Sequence, residues 1–351
     1  MTEHRIAPGD VGPEVMAAKD SLNDYRRGEL DELLDSSLYS QTVFGDNPVQ
    51  YALLDSGYHG GVDTSKVIVM PHPYGNGWKK HMLLRAMMLH GSLDVPHPVL
   101  ALPSPTAFSS PFKLNQAQQQ RLKERGDMSP IADIHAAIAE HVQKRYGSEE
   151  VSFLIDGYSQ GASVGAVLAG KIATTHALLT EAPNVSSRKS GNHREEKKAL
   201  SAAFKKGGLG PLNRAVAASD MPELLNAQGL TTSGRTSAKQ LLAIAALGLG
   251  SLRRDNTLLT HAMAHATFRN DLRESLESQP DMQVTIARAI GSALLTAEQF
   301  RNIQLTFDGS TQLSYAALDS DDNKPYGHAA GDNLLIHSEL FRRTVTNQLV
   351  S

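Results

Sequence analysis

The residues best suited to chemistry lie at positions 157–161, where the sequence reads Gly-Tyr-Ser-Gln-Gly. A serine hydroxyl becomes a strong nucleophile only when a neighbouring base takes its proton, and a sharp turn exposes the serine to both base and substrate. An apolar run at 151–155 precedes the motif, and a run of small residues at 162–173 follows it. This order of strand, turn and helix predicts a nucleophile elbow, with Ser159 as the nucleophile.

A strained turn of this kind needs very small residues around the serine, because the strand and the helix nearly touch there. Gly157, Gly161, Ala162 and Gly165 meet that need. The strand and helix patterns on either side disfavour a glycine-rich turn with an incidental serine. A dinucleotide-binding loop does not fit, since the spacing Gly-x-Gly-x-x-Gly is absent.

Strands and helices alternate around the elbow, which predicts an α/β fold with a mostly parallel sheet and helices on both faces. The predicted strands near the elbow lie at 67–70, 99–102, 151–157 and 177–180, and the predicted helices at 79–90, 116–125 and 131–146. The alternation stops after Pro183 and returns with a strand at 284–288, a helix near 296–301, a strand at 303–307 and a last helix at 332–348.

These breaks predict three regions. Residues 1–50 form an N-terminal extension packed on the outside, residues 51–185 and 281–351 form the core, and residues 186–280 form an inserted helical cap. The basic stretch at 188–206 is interpreted as a solvated surface, because acidic residues lie within it.

Composition describes an ordinary globular protein of 351 residues, with 40% hydrophobic and 20% charged residues. The net charge of -3 gives no reason to expect nucleic acid as a partner, and the absence of cysteine excludes disulfides, thiolate metal sites and a cysteine nucleophile. The first ten residues lack the apolar core of a secretory signal, and the most apolar later stretch, 241–249, is too short to span a membrane. A cytoplasmic protein is expected, and its oligomeric state stays open.

The chain resembles proteins of the α/β-hydrolase fold that carry a helical cap after the sixth strand. The resemblance rests on the elbow at 157–161, on the turn His-Pro-Tyr-Gly-Asn-Gly at 72–77, and on His328 before the last helix. The six residues 157–162 are also similar to the elbow of cutinases and of phage mycolate esterases. The similarity leaves the N-terminus and the cap unassigned.

The family order of nucleophile, acid and base implies that His328 is the base, with His337 the weaker candidate. The oxyanion hole requires two backbone N–H groups. One is implied at Gln160, the residue after the nucleophile, and the other in the turn that begins at His72. Pro73 has no N–H, so Tyr74 is the candidate, and His72 is expected only to brace the turn.

The acid departs from the family pattern, because the segment 288–296 after the seventh predicted strand contains no carboxylate. Glu181, at the end of the sixth strand, is the first candidate, and Asp308 is the second if 303–307 is a strand. Three further carboxylates precede His328, namely Asp319, Asp321 and Asp322. A dyad without a strong acid also fits, since the acid mainly orients the histidine.

The resemblance implies a serine hydrolase that cleaves a carboxylic ester of a small or lipidic substrate through an acyl-enzyme, with no cofactor or metal. Amidase, peptidase, thioesterase or acyltransferase chemistry is possible on the same scaffold. A catalytically silent protein that binds a ligand is the alternative from another class, and the missing acid keeps it open. The hexapeptide at 157–162 alone hints at a cell-envelope esterase.

Overall fold

A computed structural model describes residues 3–24, 27–43, 48–55, 62–72, 80–104, 114–147, 150–186, 262–319 and 333–349. The predictions for Tyr74, for His328 and for residues 187–261 of the cap lie outside these ranges.

One mixed sheet forms the centre of the described residues, with the strand order β1-β9-β8-β7-β6-β4-β5-β3-β2. Its strands are β1 (Glu3–Ile6), β2 (Leu38–Thr42), β3 (Pro48–Leu54), β4 (Lys66–Pro71), β5 (Val99–Leu102), β6 (Ser152–Tyr158), β7 (Thr174–Thr180), β8 (Gln283–Ala289) and β9 (Leu313–Leu318). All neighbouring pairs are parallel except those that β3 makes with β2 and β5. The strands β4 to β9 therefore end at the same edge of the sheet, called the carboxyl edge below.

Helices cover both faces of this sheet, as the sequence predicts. Their bounds are α1 (Pro13–Asn23), α2 (Arg27–Ser36), α3 (Lys80–Gly91), α4 (Gln116–Arg125), α5 (Ser129–Arg145), α6 (Gln160–Leu168), α7 (Phe268–Ser278), α8 (Ala297–Thr306) and α9 (Leu334–Val345). Helices α1, α3 and α9 pack together on one face, and α5, α6 and α7 pack together on the other. Single 3-10 turns lie at Pro8–Asp10 and Pro183–Val185.

The central strands are apolar on both sides because each face is covered by helices. Val67, Ile68, Val69 and Met70 of β4 are all at most 1% exposed. The short apolar runs that predict strands at 67–70 and 99–102 are confirmed by β4 and β5.

The predicted strand at 303–307 is wrong, because these residues complete helix α8 and its C-cap. Apolar residues at 303, 305 and 307 alternate like a strand, but Leu305 is exposed while Phe300 and Ile303 are buried at helical spacing. Thr296 starts the helix with a capping box to Gln299. The strand that follows is β9, which the sequence pattern did not reveal.

The N-terminal residues are part of the sheet, which corrects the prediction that they pack outside the core. Strand β1 pairs with β9 at one end of the sheet, and β2 pairs with β3 at the other. Helix α1 packs against α3 and α9. Only Ile6 of β1 is buried, so this edge strand lacks the apolar alternation that predicts a strand.

The predicted cap boundary at residue 280 is too late, because α7 belongs to the helical layer beside α6. Leu272 and Leu276 of α7 are buried, and Ser275 Oγ donates to the carbonyl oxygen of Ala166 at 2.5 Å. The chain leads from α7 directly into β8, so the core has resumed by Phe268.

Candidate active site

Ser159 occupies a strained turn between β6 and α6, with φ 56° and ψ -124°. A non-glycine residue with positive φ is uncommon and marks a position that its surroundings enforce. The Ser159 N–H donates to the Thr180 carbonyl oxygen at 2.9 Å, which ties the turn to the end of β7. The serine therefore sits at the carboxyl edge of the sheet in the geometry of a nucleophile elbow.

Two glycines allow this turn because their neighbours leave no room for a Cβ atom. A Cβ on Gly157 would lie 2.8 Å from the Ala162 Cα atom, where the strand and the helix meet. A Cβ on Gly161 would lie 2.2 Å from the Pro71 carbonyl oxygen, at the end of β4. The second contact places the end of β4 next to the elbow.

Gln160 is the first residue of α6, and the first N–H groups of a helix have no partner within the helix. Its backbone N–H therefore lies at the positive end of the helix dipole, where negative charge is stabilised. Its side chain is fully buried, and the Ser104 hydroxyl donates to Gln160 Oε1 at 3.2 Å. His72 is buried. Tyr74, the other predicted oxyanion donor, lies outside the described ranges.

Glu181 directly follows β7 and is fully buried, with a positive φ of 59°. One carboxylate oxygen accepts the Ala289 N–H at 2.6 Å, and the other accepts the Ser292 hydroxyl at 2.5 Å. Since Thr180 pairs with Tyr158, the residue before Ser159, the structure brings Glu181 and Ser159 to adjacent strand ends.

Asp308 lies at the opposite edge of the sheet. It is exposed in the turn after α8, before β9 begins at Leu313, which pairs with Val284 near the start of β8. Asp308 therefore lies at the amino-terminal ends of the strands and Ser159 at their carboxyl-terminal ends. This separation rules out Asp308 as the alternative acid. Asp319 does reach the carboxyl edge, where it is buried and ion-paired with Arg5.

His328 lies outside the described residues, but both ends of its segment are placed. Asp319 follows β9 at the carboxyl edge, and α9 begins at Leu334 after its N-cap Asn333. The side chain of Asn333 accepts the Ile336 N–H at 3.2 Å and fixes the start of the helix.

A buried charged cluster, which we call the Arg85–Asp156–His337 network, lies beneath the elbow. Asp156 Oδ2 accepts from Arg85 Nε at 3.0 Å, and Asp156 Oδ1 lies 2.6 Å from His337 Nε2. The same ring nitrogen lies 2.5 Å from Arg85 Nη2. Burial would raise the pKa of Asp156, but the positive charge of Arg85 and the hydrogen bonds from both partners hold it at about 2.

The sequence contains a signal for this network that motif reasoning does not use. Asp156 interrupts the apolar run of β6, and a buried carboxylate needs charged or hydrogen-bonding partners. The identity of those partners depends on contacts across 71 and 181 residues of chain, which only the fold supplies. The engagement of His337 Nε2 by Asp156 and Arg85 also argues against His337 as the base.

Metal and membrane features are absent from the described part of the chain. Its histidines and carboxylates form no group of three or more that could hold a metal ion. None of its helices combines the length and apolar character needed to cross a bilayer.

The strand order, the two helical layers and the strained serine turn define the α/β-hydrolase fold. Solved structures with this fold include a protein of Acinetobacter baumannii AYE assigned as a lipase, with a TM-score of 0.55 and 13% identity, covering 93% of this chain and 96% of that one. A membrane phospholipase A, described as a bacterial virulence factor, matches with a TM-score of 0.53 and 14% identity over 95% and 96% of the two chains. The acetyl esterase MekB matches with a TM-score of 0.50 and 12% identity over 88% and 96%.

These identities are low, so the likeness shows the fold alone. No protein-family model matches the sequence, and no curated protein matches it at a significant level.

Proposed function

We propose that the protein is a serine hydrolase that cleaves a carboxylic ester through an acyl-enzyme. The observation that carries the proposal is the backbone of Ser159, which is held at φ 56° between a buried strand and a helix N-terminus. Strain of this kind persists only where the surroundings enforce it; here the Ser159 N–H is bonded to the end of β7, and two glycines that admit no Cβ permit the close approach of strand and helix. A buried serine with an incidental role does not require such a turn.

The proposed reaction starts when His328 takes the proton of the Ser159 hydroxyl while the serine oxygen attacks the ester carbonyl. The N–H groups of Gln160 and Tyr74 stabilise the negative charge on the carbonyl oxygen. His328 then gives its proton to the departing alcohol, which leaves the acyl group on Ser159. A water molecule, deprotonated by His328, attacks the acyl-enzyme, and His328 returns the proton to the serine oxygen as the carboxylic acid leaves.

We assign the acid to Glu181, whose carboxylate is buried at the strand end next to the elbow. A carboxylate in this place stabilises the imidazolium that forms during attack and orients the ring. The hydrogen bonds from the Ala289 N–H and the Ser292 hydroxyl fix the direction of the Glu181 carboxylate.

We also propose that residues 187–261 form the cap over the carboxyl edge. Ser186 and Ala262, which flank this segment, follow β7 and precede α7. Both flanks therefore belong to connections on the side of the sheet where Ser159 lies. The cap would select the substrate, and a small or lipidic ester is the proposed class, in keeping with the lipase, phospholipase and esterase among the solved neighbours.

The direct test replaces Ser159 with alanine and measures hydrolysis of p-nitrophenyl acetate and butyrate. We expect at least about 10³-fold loss of kcat, because without the nucleophile only binding and the oxyanion hole remain. Ser152→Ala is the matched control, since it makes the same chemical change at the far end of the same strand and should leave kcat unchanged. A fluorophosphonate probe should label the wild-type protein at Ser159 and leave Ser159→Ala unlabelled. Hydrolysis no faster than the uncatalysed background in both wild type and Ser159→Ala, with no labelling, would favour a silent binding protein instead.

A further inference from the structure

The Arg85–Asp156–His337 network joins three elements that surround the elbow. Arg85 lies on α3, Asp156 on β6 and His337 on α9, and all three side chains are almost completely buried. Asp156 precedes Ser159 by three residues, which places the carboxylate roughly 10 Å from the serine along a strand. The network is thus close to the elbow.

Tyr158, the residue before Ser159, also contacts the network. The Arg85 guanidinium carbon lies 5.2 Å from the centre of the Tyr158 ring, and the His337 ring meets Tyr158 edge-on at 6.4 Å between ring centres. A cation over an aromatic face and an edge-to-face ring pair both prefer particular geometries. A shift of α9 would therefore disturb the contacts of Tyr158, the residue that leads into the strained turn.

Helix α9 is the element that follows the segment containing His328. His337 lies in its first turn, and the His337 N–H donates to the Asn333 carbonyl oxygen at 3.0 Å. The bond between His337 and Asp156 consequently fixes the start of α9 against the strand that carries Ser159.

We propose that Arg85, Asp156 and His337 are positioning residues that set the elbow and the start of α9 relative to each other, and with them the nucleophile and its base. This inference rests on the proposed function of Ser159 and His328. Small displacements between reacting groups cost large factors in rate, so the network should act on kcat more than on KM.

The same helix offers a matched control in Glu339, another fully buried charged residue. Glu339 accepts hydrogen bonds from Arg342, Arg343 and the Gly12 N–H, and none of these partners lies on β6. Glu339→Gln therefore weakens a buried polar cluster of α9 without changing its link to the elbow.

The experiment compares His337→Phe, His337→Gln, Asp156→Asn and Glu339→Gln at a temperature where circular dichroism shows all four folded. We expect His337→Phe and Asp156→Asn to lower kcat about 10- to 100-fold with little change in KM, because the reacting groups are misplaced and substrate contacts are kept. His337→Gln should recover most of the rate, since its amide nitrogen can donate to Asp156. Glu339→Gln should stay near wild type. An equal loss of kcat in Glu339→Gln, or none in the folded His337→Phe, would overturn the proposal.

A second measurement does not depend on catalysis. Hydrogen exchange of a peptide spanning residues 154–162 should be severalfold faster in His337→Phe than in wild type, and unchanged in Glu339→Gln. Unchanged exchange in His337→Phe would show that α9 and the elbow are not coupled. The activity assay of wild type and Ser159→Ala separates the two proposals. If the wild type is as inactive as Ser159→Ala but exchange is faster in His337→Phe, the esterase assignment is wrong and the coupling of α9 to the elbow stands.

Discussion

Two buried carboxylates, Asp156 in β6 and Glu181 directly after the neighbouring strand β7, are held in different ways. Asp156 lies between a guanidinium and an imidazole, whereas Glu181 accepts from a backbone N–H and a hydroxyl. A carboxylate that already has a cationic partner serves structure, since its charge is compensated in the resting protein. Glu181 instead follows the end of β7 beside Ser159, where a carboxylate can stabilise a cation that forms during the reaction. We therefore assign the positioning role to Asp156 and the role of triad acid to Glu181.

The backbone conformation also distinguishes the two carboxylates, and it groups Glu181 with Ser159. Asp156 lies within the regular strand β6, but Glu181 has a φ of 59°, close to the value of 56° at Ser159. Strained non-glycine residues cluster at functional sites because only a rigid surround maintains them. Ser159 and Glu181 lie at the ends of adjacent strands, which supports their assignment to one site.

The variant with the largest expected effect is Glu181→Gln, which tests whether Glu181 is the triad acid. The amide keeps the shape and can still accept the Ala289 N–H, but it cannot stabilise an imidazolium, so we expect kcat to fall about 10³- to 10⁴-fold. Ester hydrolysis under saturating substrate measures the effect, with unfolding in urea to show that stability changes little. Asp319→Asn is the control, because Asp319 is also a buried carboxylate at the carboxyl edge. If Glu181→Gln keeps activity and Asp319→Asn loses it, the assignment of the acid is wrong.

The elbow could be predicted from sequence because its signals are local. Gly157, Ser159 and Gly161 are set by spacing within five residues, and the strand and helix flank them directly. Glu181 could be named as a candidate from its position after a predicted strand. Its donors Ala289 and Ser292 come from a segment more than 100 residues away, which no local pattern specifies.

The Arg85–Asp156–His337 network shows where prediction from sequence fails in physical terms. A lone aspartate in an apolar strand indicates that it has buried partners. The sequence does not identify which of its arginines and histidines the fold brings to that aspartate. The error at residues 303–307 has another origin. Apolar spacing there fits a strand and a helix equally, and the tertiary packing of Phe300 and Ile303 decides for the helix.

A second prediction concerns stability and sets Asp156 apart from Glu181. Asp156→Leu leaves Arg85 buried without its carboxylate, which should lower the free energy of unfolding by about 3–5 kcal/mol. Replacing all three network residues with apolar ones (Arg85→Met, Asp156→Leu and His337→Phe) should restore much of that stability, because no buried charge of the network is left without a partner. Urea unfolding of both variants measures the difference. A triple variant as unstable as the single one would show that the loss comes from packing and not from charge.

The smallest expected effect is a dependence of stability on pH that belongs to Asp156. Its pKa is about 2 in the folded protein against 3.8 for an ordinary aspartate, so the unfolded chain binds a proton first as the pH falls. This stabilisation, about 2 kcal/mol, is present above about pH 4 and is lost as the pH falls toward 2. Asp156→Asn should therefore have a flatter slope of unfolding free energy between pH 4 and pH 2 than the wild type.

His135 provides the control for that slope, because burial lowers its pKa from 6.5 to about 4. The unfolded chain again binds the proton first, so its share of stability is complete above about pH 6.5 and lost as the pH falls to 4. His135→Gln should reduce its share of the slope between pH 6.5 and pH 4 and keep the slope below pH 4, which is the reverse of Asp156→Asn. Urea midpoints measured at half-unit steps from pH 7 to pH 2 test both, and an unchanged slope below pH 4 in Asp156→Asn would contradict the low pKa of Asp156.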